Sequence, residues 1–162
     1  MATASGSTDS TAKNRSAAPK KGDRVVDRDV LSAHLNALEA YLSELKSFQN
    51  IDREQFIAEP AIHHLAERYL HLACEAILDL AQHLISDQGL RQANTYRETM
   101  AVLAEENIIE SELAERLAGW MDLRNILVHL YLAIDHGRAW DAIHDELDDL
   151  EQFSRTVTLL LE

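Results

Sequence analysis

An all-α fold, an antiparallel bundle of four to five main helices, is predicted by three features of the sequence. Helix breakers are scarce, with Gly 5 and Pro 2 in 162 residues. Ala, Leu and Glu are frequent, and these are good helix formers. From residue 25 onward, apolar residues recur at spacings of three and four, and no stretch shows convincing strand alternation or an internal repeat.

The elements follow in order. Leu31, Leu35, Leu38, Leu42 and Leu45 mark an amphipathic helix over about 27–48. A short helical piece is expected at 53–58. Pro60, favourable in a first turn, opens a long helix to about Ser86, which Asp87-Gln88-Gly89 stops. Thr95-Tyr96-Arg97-Glu98 reads as a capping box for a helix over 96–105. Ser111 is expected to cap a helix over 112–121, followed by another over 122–134 and a break at Gly137. The last helix, 138–160, carries Trp140, Ile143, Leu147, Leu150, Phe153 and Val157 on one face and a solvated acidic face opposite. Residues 1–24, rich in Ser, Thr, Ala, Lys and Gly without apolar periodicity, read as a disordered tail, and 25–162 as one domain.

Composition removes several function classes. The single cysteine, Cys74, rules out an intrachain disulfide and fits a reducing cytoplasm. No apolar run approaches the roughly 18 residues of a membrane span, and no apolar segment follows the basic N-terminal residues as in a secretory signal. The formal net charge is −13. Non-specific phosphate binding needs clustered Lys and Arg, so any action on nucleic acid here must rest on a few placed cations.

The 60–86 helix is apolar around most of its circumference. On a wheel of about 100° per residue, Ile62, Leu65, Tyr69, Ala73, Ala76, Ile77, Leu80 and Leu84 share one face. Leu70, Cys74, Leu78, Ala81 and Ile85 form a second stripe. A narrow polar strip holds His64, Arg68, His71, Glu75, Asp79 and Gln82. One stripe can face the bundle core. The second calls for another partner, and a copy of the same chain is the simplest, so a homodimer through this stripe and 122–132 is expected.

The sharpest local feature is Arg124-Asn125-Ile126-Leu127-Val128-His129-Leu130-Tyr131. Cations in so apolar a stretch are costly unless paired or used. On a regular helix Arg124 and Tyr131 would share a face two turns apart, whereas His129 would point roughly 140° away from Arg124. A straight helix therefore cannot aim Arg124 and His129 at one point. A distorted helix or two facing copies could. An ion pair and a core histidine would account for the same two residues without any chemistry.

Taken with Glu67-Arg68-Tyr69-Leu70, Leu72–Leu80, Thr95–Glu98 and the run Arg124–Asp135, the segment from about Glu67 to Asp135 resembles the HepT toxins of the HEPN superfamily. It departs from their pattern at Leu123, where an aromatic residue commonly stands, and at Leu132, where Trp does. The resemblance implies a HEPN-type, homodimeric bundle and metal-independent cleavage of RNA, with tRNA and mRNA both candidates. It implies Arg124, His129 and Asn125 as catalytic residues. Such roles suit these groups. Imidazole titrates near neutrality and can move protons, and a guanidinium can hold a phosphate bidentately. Asn125 can orient phosphate or His129. Tyr131 is implied as a substrate-binding residue and as the hydroxyl to which the cognate antitoxin, an MntA-like minimal nucleotidyltransferase, attaches AMP. Glu75 and Asp79, on the polar strip, are candidates to orient the basic residues or to pair within the bundle.

Other readings are weaker. The long helix gathers His63, His64, His71 and His83, but di-iron bundles need a Glu-x-x-His motif on each of two helices, and Asp141-Ala-Ile-His144 alone comes near it. Neither a metal nor a cofactor is expected. His34, His136 and His144 read as surface residues, and Trp120 and Trp140 as core. The rival function is a non-catalytic HEPN-like module that dimerises and binds a partner. The acidity of the chain favours it; the Arg-Asn…His-x-Tyr constellation opposes it.

Overall fold

The computed structural model describes residues 27–162, and Thr3 before them; the side chain of Tyr131 is outside the description. The tail expected over 1–24 lies outside the described residues but for Thr3. The helices are α1 (Arg28–Ser47), α2 (Arg53–Ala58), α3 (Pro60–Asp87), α4 (Tyr96–Glu105), α5 (Ser111–His129), α6 (His136–Asp141) and α7 (Leu147–Leu161). No strand occurs among the described residues.

Most boundaries follow from the caps. Asp27 accepts from the Val30 N–H to open α1, and Asp52 accepts from Gln55 to open α2. Gly89 ends α3 at φ 64°, with Leu90 N–H bonding back to the Ile85 carbonyl, a Schellman closure that favours glycine. Asn107 closes α4 in the same way at φ 55°, with Ile108 N–H on Leu103.

α3 is the central helix. It packs along α1 on one side and against α4 and α5 on another, while α7 packs against α1, α3 and α5. Leu31, Leu38, Leu45, Leu70, Ile77, Leu80, Trp120 and Phe153 are fully enclosed. This corrects the dimer surface expected on α3. Leu70, Cys74, Leu78, Ala81 and Ile85 are all buried within a single chain, so the second stripe is satisfied inside the bundle, at Cys74 by Trp120 of α5. Leu65, expected on the core face, is instead half exposed.

Three expected boundaries differ. The segments 112–121 and 122–134 form one helix that stops at His129; Leu130 leaves helical geometry (φ −119°, ψ 36°) and a single 3-10 turn covers Tyr131–Ala133. Ser111 lies inside α5 and makes no cap; Glu110 occupies that position without a side-chain bond. The break expected at Gly137 falls earlier, where Asp135 accepts from Arg138 N–H to start α6. Gly137 is buried inside α6, where a Cβ would collide with the Arg53 guanidinium. α6 passes through a π-helical turn, Ala142–Glu146, into α7.

Trp120 is core as expected. Trp140 is half-buried and donates to the Ile51 carbonyl at 2.9 Å. The three histidines expected at the surface are engaged. His144 stacks on Trp140 with ring centroids 3.7 Å apart, His34 faces Asp79, and His136 stacks on the buried His63 at 3.6 Å. No helix among the described residues is long and apolar enough to cross a membrane.

Candidate active site on α3 and α5

The polar strip of α3 and the last turns of α5 meet along one edge of the bundle. Arg124 is the centre of that edge. Its side chain is 11% exposed, and its Nε donates to Glu75 Oε1 at 2.5 Å. A cation held this far from water needs such a carboxylate. Arg124 also lies over the Tyr96 ring, Cζ 4.8 Å from the centroid, and a second guanidinium nitrogen donates to Asn125 Oδ1 at 3.4 Å. Glu75 grips one edge of the guanidinium while Tyr96 covers a face.

Local chemistry fixes Tyr96. It is the first residue of α4, whose start is tied down twice. Thr95 Oγ1 accepts from Glu98 N–H at 3.0 Å, and Glu98 accepts from Asn94 N–H at 2.7 Å, one residue before the return bond of a standard capping box. Arg91 then bridges Glu98 and Glu105 at 2.6 and 2.7 Å. These contacts hold both carboxyls below the usual Glu range: the Asn94 N–H leads at Glu98, the Arg91 guanidinium at Glu105.

A second line of contacts runs along α3. Arg68 donates to His71 Nδ1 at 3.0 Å, and His71 Nε2 lies 3.2 Å from Glu75 Oε1. Arginine can only donate, so His71 Nδ1 accepts and its N–H is on Nε2, facing the carboxylate. Glu75 therefore joins His71 to Arg124. Asp79, one turn further on, is not part of this set; it faces His34 at 3.6 Å.

His129 is exposed at the end of α5, five residues from Arg124 on a regular helix, so the two side chains diverge within one chain. Tyr131 lies beyond the helix end, which removes the helical basis for placing it on the Arg124 face. On the Leu127 side of the motif, a cleft of about 250 Å³ is lined by His64, Glu67, Arg68, His71, Leu127 and Ile134. Glu67 is nearly buried and is turned to His136 Nδ1 at 2.5 Å. Cys74, next to Glu75, is fully enclosed, and burial pushes its thiol up to about 12. It is therefore protonated and inert at neutral pH.

Sequence reasoning missed Tyr96, Arg68 and His71 as site neighbours. Tyr96 sits in the block read as a cap, and the other two sit on the strip read as polar. Their meeting with Arg124 depends on how α4 and α5 dock on α3, which spacing within one helix does not reveal.

The all-helical bundle with an Arg-Asn-x3-His-x-Tyr segment leaving its edge agrees with the resemblance to the HEPN class. The family model described as Ribonuclease HepT-like matches residues 38–157, and the chain belongs to that family. It is 29% identical over 132 residues to the tRNA nuclease HepT of Aphanizomenon flos-aquae, covering 82% of this chain and 90% of that one. It is 33% identical over 84 residues to the mRNA nuclease HepT of Shewanella oneidensis, covering 52% and 63%. In fold, it superposes on the cytosolic protein YutE of Bacillus subtilis with TM-score 0.75, 24% identity and coverage of 84% and 91%. It likewise matches a tri-AMPylated Shewanella oneidensis HEPN toxin solved with its MNT antitoxin, with TM-score 0.74, 24% identity and coverage of 81% and 98%.

Proposed function

We propose that this protein is a toxin that cleaves RNA without a metal ion, that it works as a homodimer, and that a nucleotidyltransferase antitoxin silences it by adding AMP to Tyr131. The observation that carries the reading is Arg124. It is a guanidinium held by Glu75 and Tyr96 at the bundle edge, in the family's motif position, with part of its surface open. Family membership and the two nuclease relatives support the same reading.

RNA carries its own nucleophile. The 2′-oxygen attacks the adjacent phosphorus and the bond to the 5′-oxygen breaks, leaving a 2′,3′-cyclic phosphate and a 5′-hydroxyl. One proton leaves the 2′-hydroxyl and one reaches the departing 5′-oxygen. His129 carries out this proton movement. Arg124 holds the phosphate and stabilises the charge that builds on its oxygens. Asn125 steadies the guanidinium. No step calls on a metal ion.

The divergence of Arg124 and His129 within one chain favours a site completed by two copies. Ile126, Leu130 and Leu132 are exposed beside the motif, Leu132 to 90%, and they form the apolar surface for that contact. In silencing, the Tyr131 phenol oxygen displaces pyrophosphate from the α-phosphorus of ATP and loses its proton. The added AMP puts a bulky, negatively charged group on the motif segment, where it repels RNA phosphate. ATP and Mg²⁺ belong to the antitoxin's reaction.

The test is cleavage of bulk tRNA and mRNA by the purified chain in EDTA. Cleavage is expected, and His129→Ala should slow it by about 10²–10⁴-fold while the helical spectrum is kept. Tyr131→Phe should retain cleavage and escape AMP transfer, read as whole AMP mass gains on the wild-type Tyr131 peptide after co-expression with an MntA-type nucleotidyltransferase. Intact RNA at high enzyme concentration would favour the partner-binding module instead.

A further inference from the structure

Acidic chains bind RNA through placed cations, and here nearly all of the cations are engaged. Among the described residues, Lys46, Arg53, Arg91, Arg97, Arg116, Arg124, Arg138 and Arg155 each lie within ion-pair distance of a carboxylate. Arg28 and Arg68 do not. Arg28 opens α1. Arg68 stands in the cleft beside the motif, exposed, hydrogen-bonded to the ring nitrogen Nδ1 of His71.

We infer that Arg68 is the second phosphate-binding cation of the RNA site, held ready by His71, and that the cleft takes the nucleotide flanking the scissile phosphate. This rests on the ribonuclease reading above. Its own support is geometric. Glu75 sits two helical turns from Arg68 on α3 and grips Arg124, and His71 between them touches both Arg68 and Glu75. A strand passing Arg124 therefore meets Arg68 along the same strip. Of the cleft's six lining residues, Leu127 and Ile134 are apolar, a wall against which a base can lie, and His64 adds a polar contact. The Glu67 carboxylate, which would repel a phosphate, is turned to His136 and nearly buried. His71, by accepting from Arg68, limits the freedom of the guanidinium without neutralising it. That makes His71 a positioning residue.

The test is single-turnover cleavage of bulk tRNA by the full chain at salt from about 50 to 200 mM. Each phosphate contact to a single strand contributes about 0.7 to the slope of log affinity against log salt. Arg68→Ala should lower that slope by about 0.7 and raise the half-saturating protein concentration about tenfold at low salt, as loss of a charge-assisted bond does. The maximal rate should change by less than about twofold, because Arg68 does not touch the reacting bond. Arg68→Lys should keep the slope. His71→Ala should raise half-saturation less than Arg68→Ala and leave the slope intact. Arg116→Ala, which removes a distant paired arginine, should do neither. An Arg68→Ala protein with wild-type slope and half-saturation overturns the inference and leaves the ribonuclease reading standing. A wild-type chain that cleaves no RNA overturns both.

Discussion

The two halves of α5 are equally apolar in sequence and have opposite fates. In the first half, Leu113, Ala114, Leu117, Trp120 and Met121 are buried against α4 and α7. In the second, Ile126 is exposed and Leu127 and Val128 are half-buried, and past the helix end Leu130 and Leu132 are exposed. Both halves look like core to a periodicity argument. The difference is that the first half keeps a whole face inside the bundle, while in the second only Leu123 and part of Leu127 stay inside before the chain turns away at Leu130. Apolar character in the first half is used for folding. In the second it borders Arg124 and His129, where a partner copy or a substrate can use it.

Substitutions in the two halves should separate these fates. The largest stability effect is expected in the covered half. Trp120→Ala removes an enclosed indole whose N–H reaches Asp149 at 3.4 Å, and should cost about 3–5 kcal/mol in denaturant unfolding. Leu132→Asp, at the uncovered end, should change unfolding by no more than about 0.5 kcal/mol. Combined with Leu130→Asp, it should bring the mass by light scattering from twice the chain to one. If the two sites cost the same in stability, the two halves are not distinct.

A smaller effect concerns acid. Glu98 and Glu105 have folded-state pKa values held below the ordinary carboxyl range. The unfolded chain therefore takes up these protons first as pH falls. Their contribution is complete above about pH 4.3, the reference Glu value, and is lost as pH drops through the lower folded values. Arg91→Gln should flatten this limb of a stability–pH curve, with little change at pH 7 because the network is exposed. An unchanged acid limb would show that these pairs do not set it.

The helices were legible wherever local chemistry decides. The leucine spacing of α1, Pro60 at the start of α3, Gly89 at its end and the Thr95 cap all act within a few residues of themselves. The end of α5 was not legible, because nothing in Leu130-Tyr131-Leu132 breaks a helix by type. The second stripe of α3 was misassigned because its periodicity reports that a surface is covered, not by what. At the site, Arg124 was legible from its cost in an apolar stretch, and Glu75 was one of two carboxylates that could serve it. That Glu75 reaches Arg124 while Asp79 faces His34 is decided by the docking of α5 on α3.

On the proposed mechanism, RNA cleavage by this acidic bundle depends on the Arg124 guanidinium held by Glu75 and Tyr96. The direct measurement is the rate of RNA cleavage in EDTA by purified Arg124→Ala against the wild type, with helical content checked on both. Removing the group that meets the charge of the transition state should slow cleavage by about 10²–10³-fold with the fold unchanged. A folded Arg124→Ala protein that cleaves at the wild-type rate would show that Arg124 has no part in the chemistry.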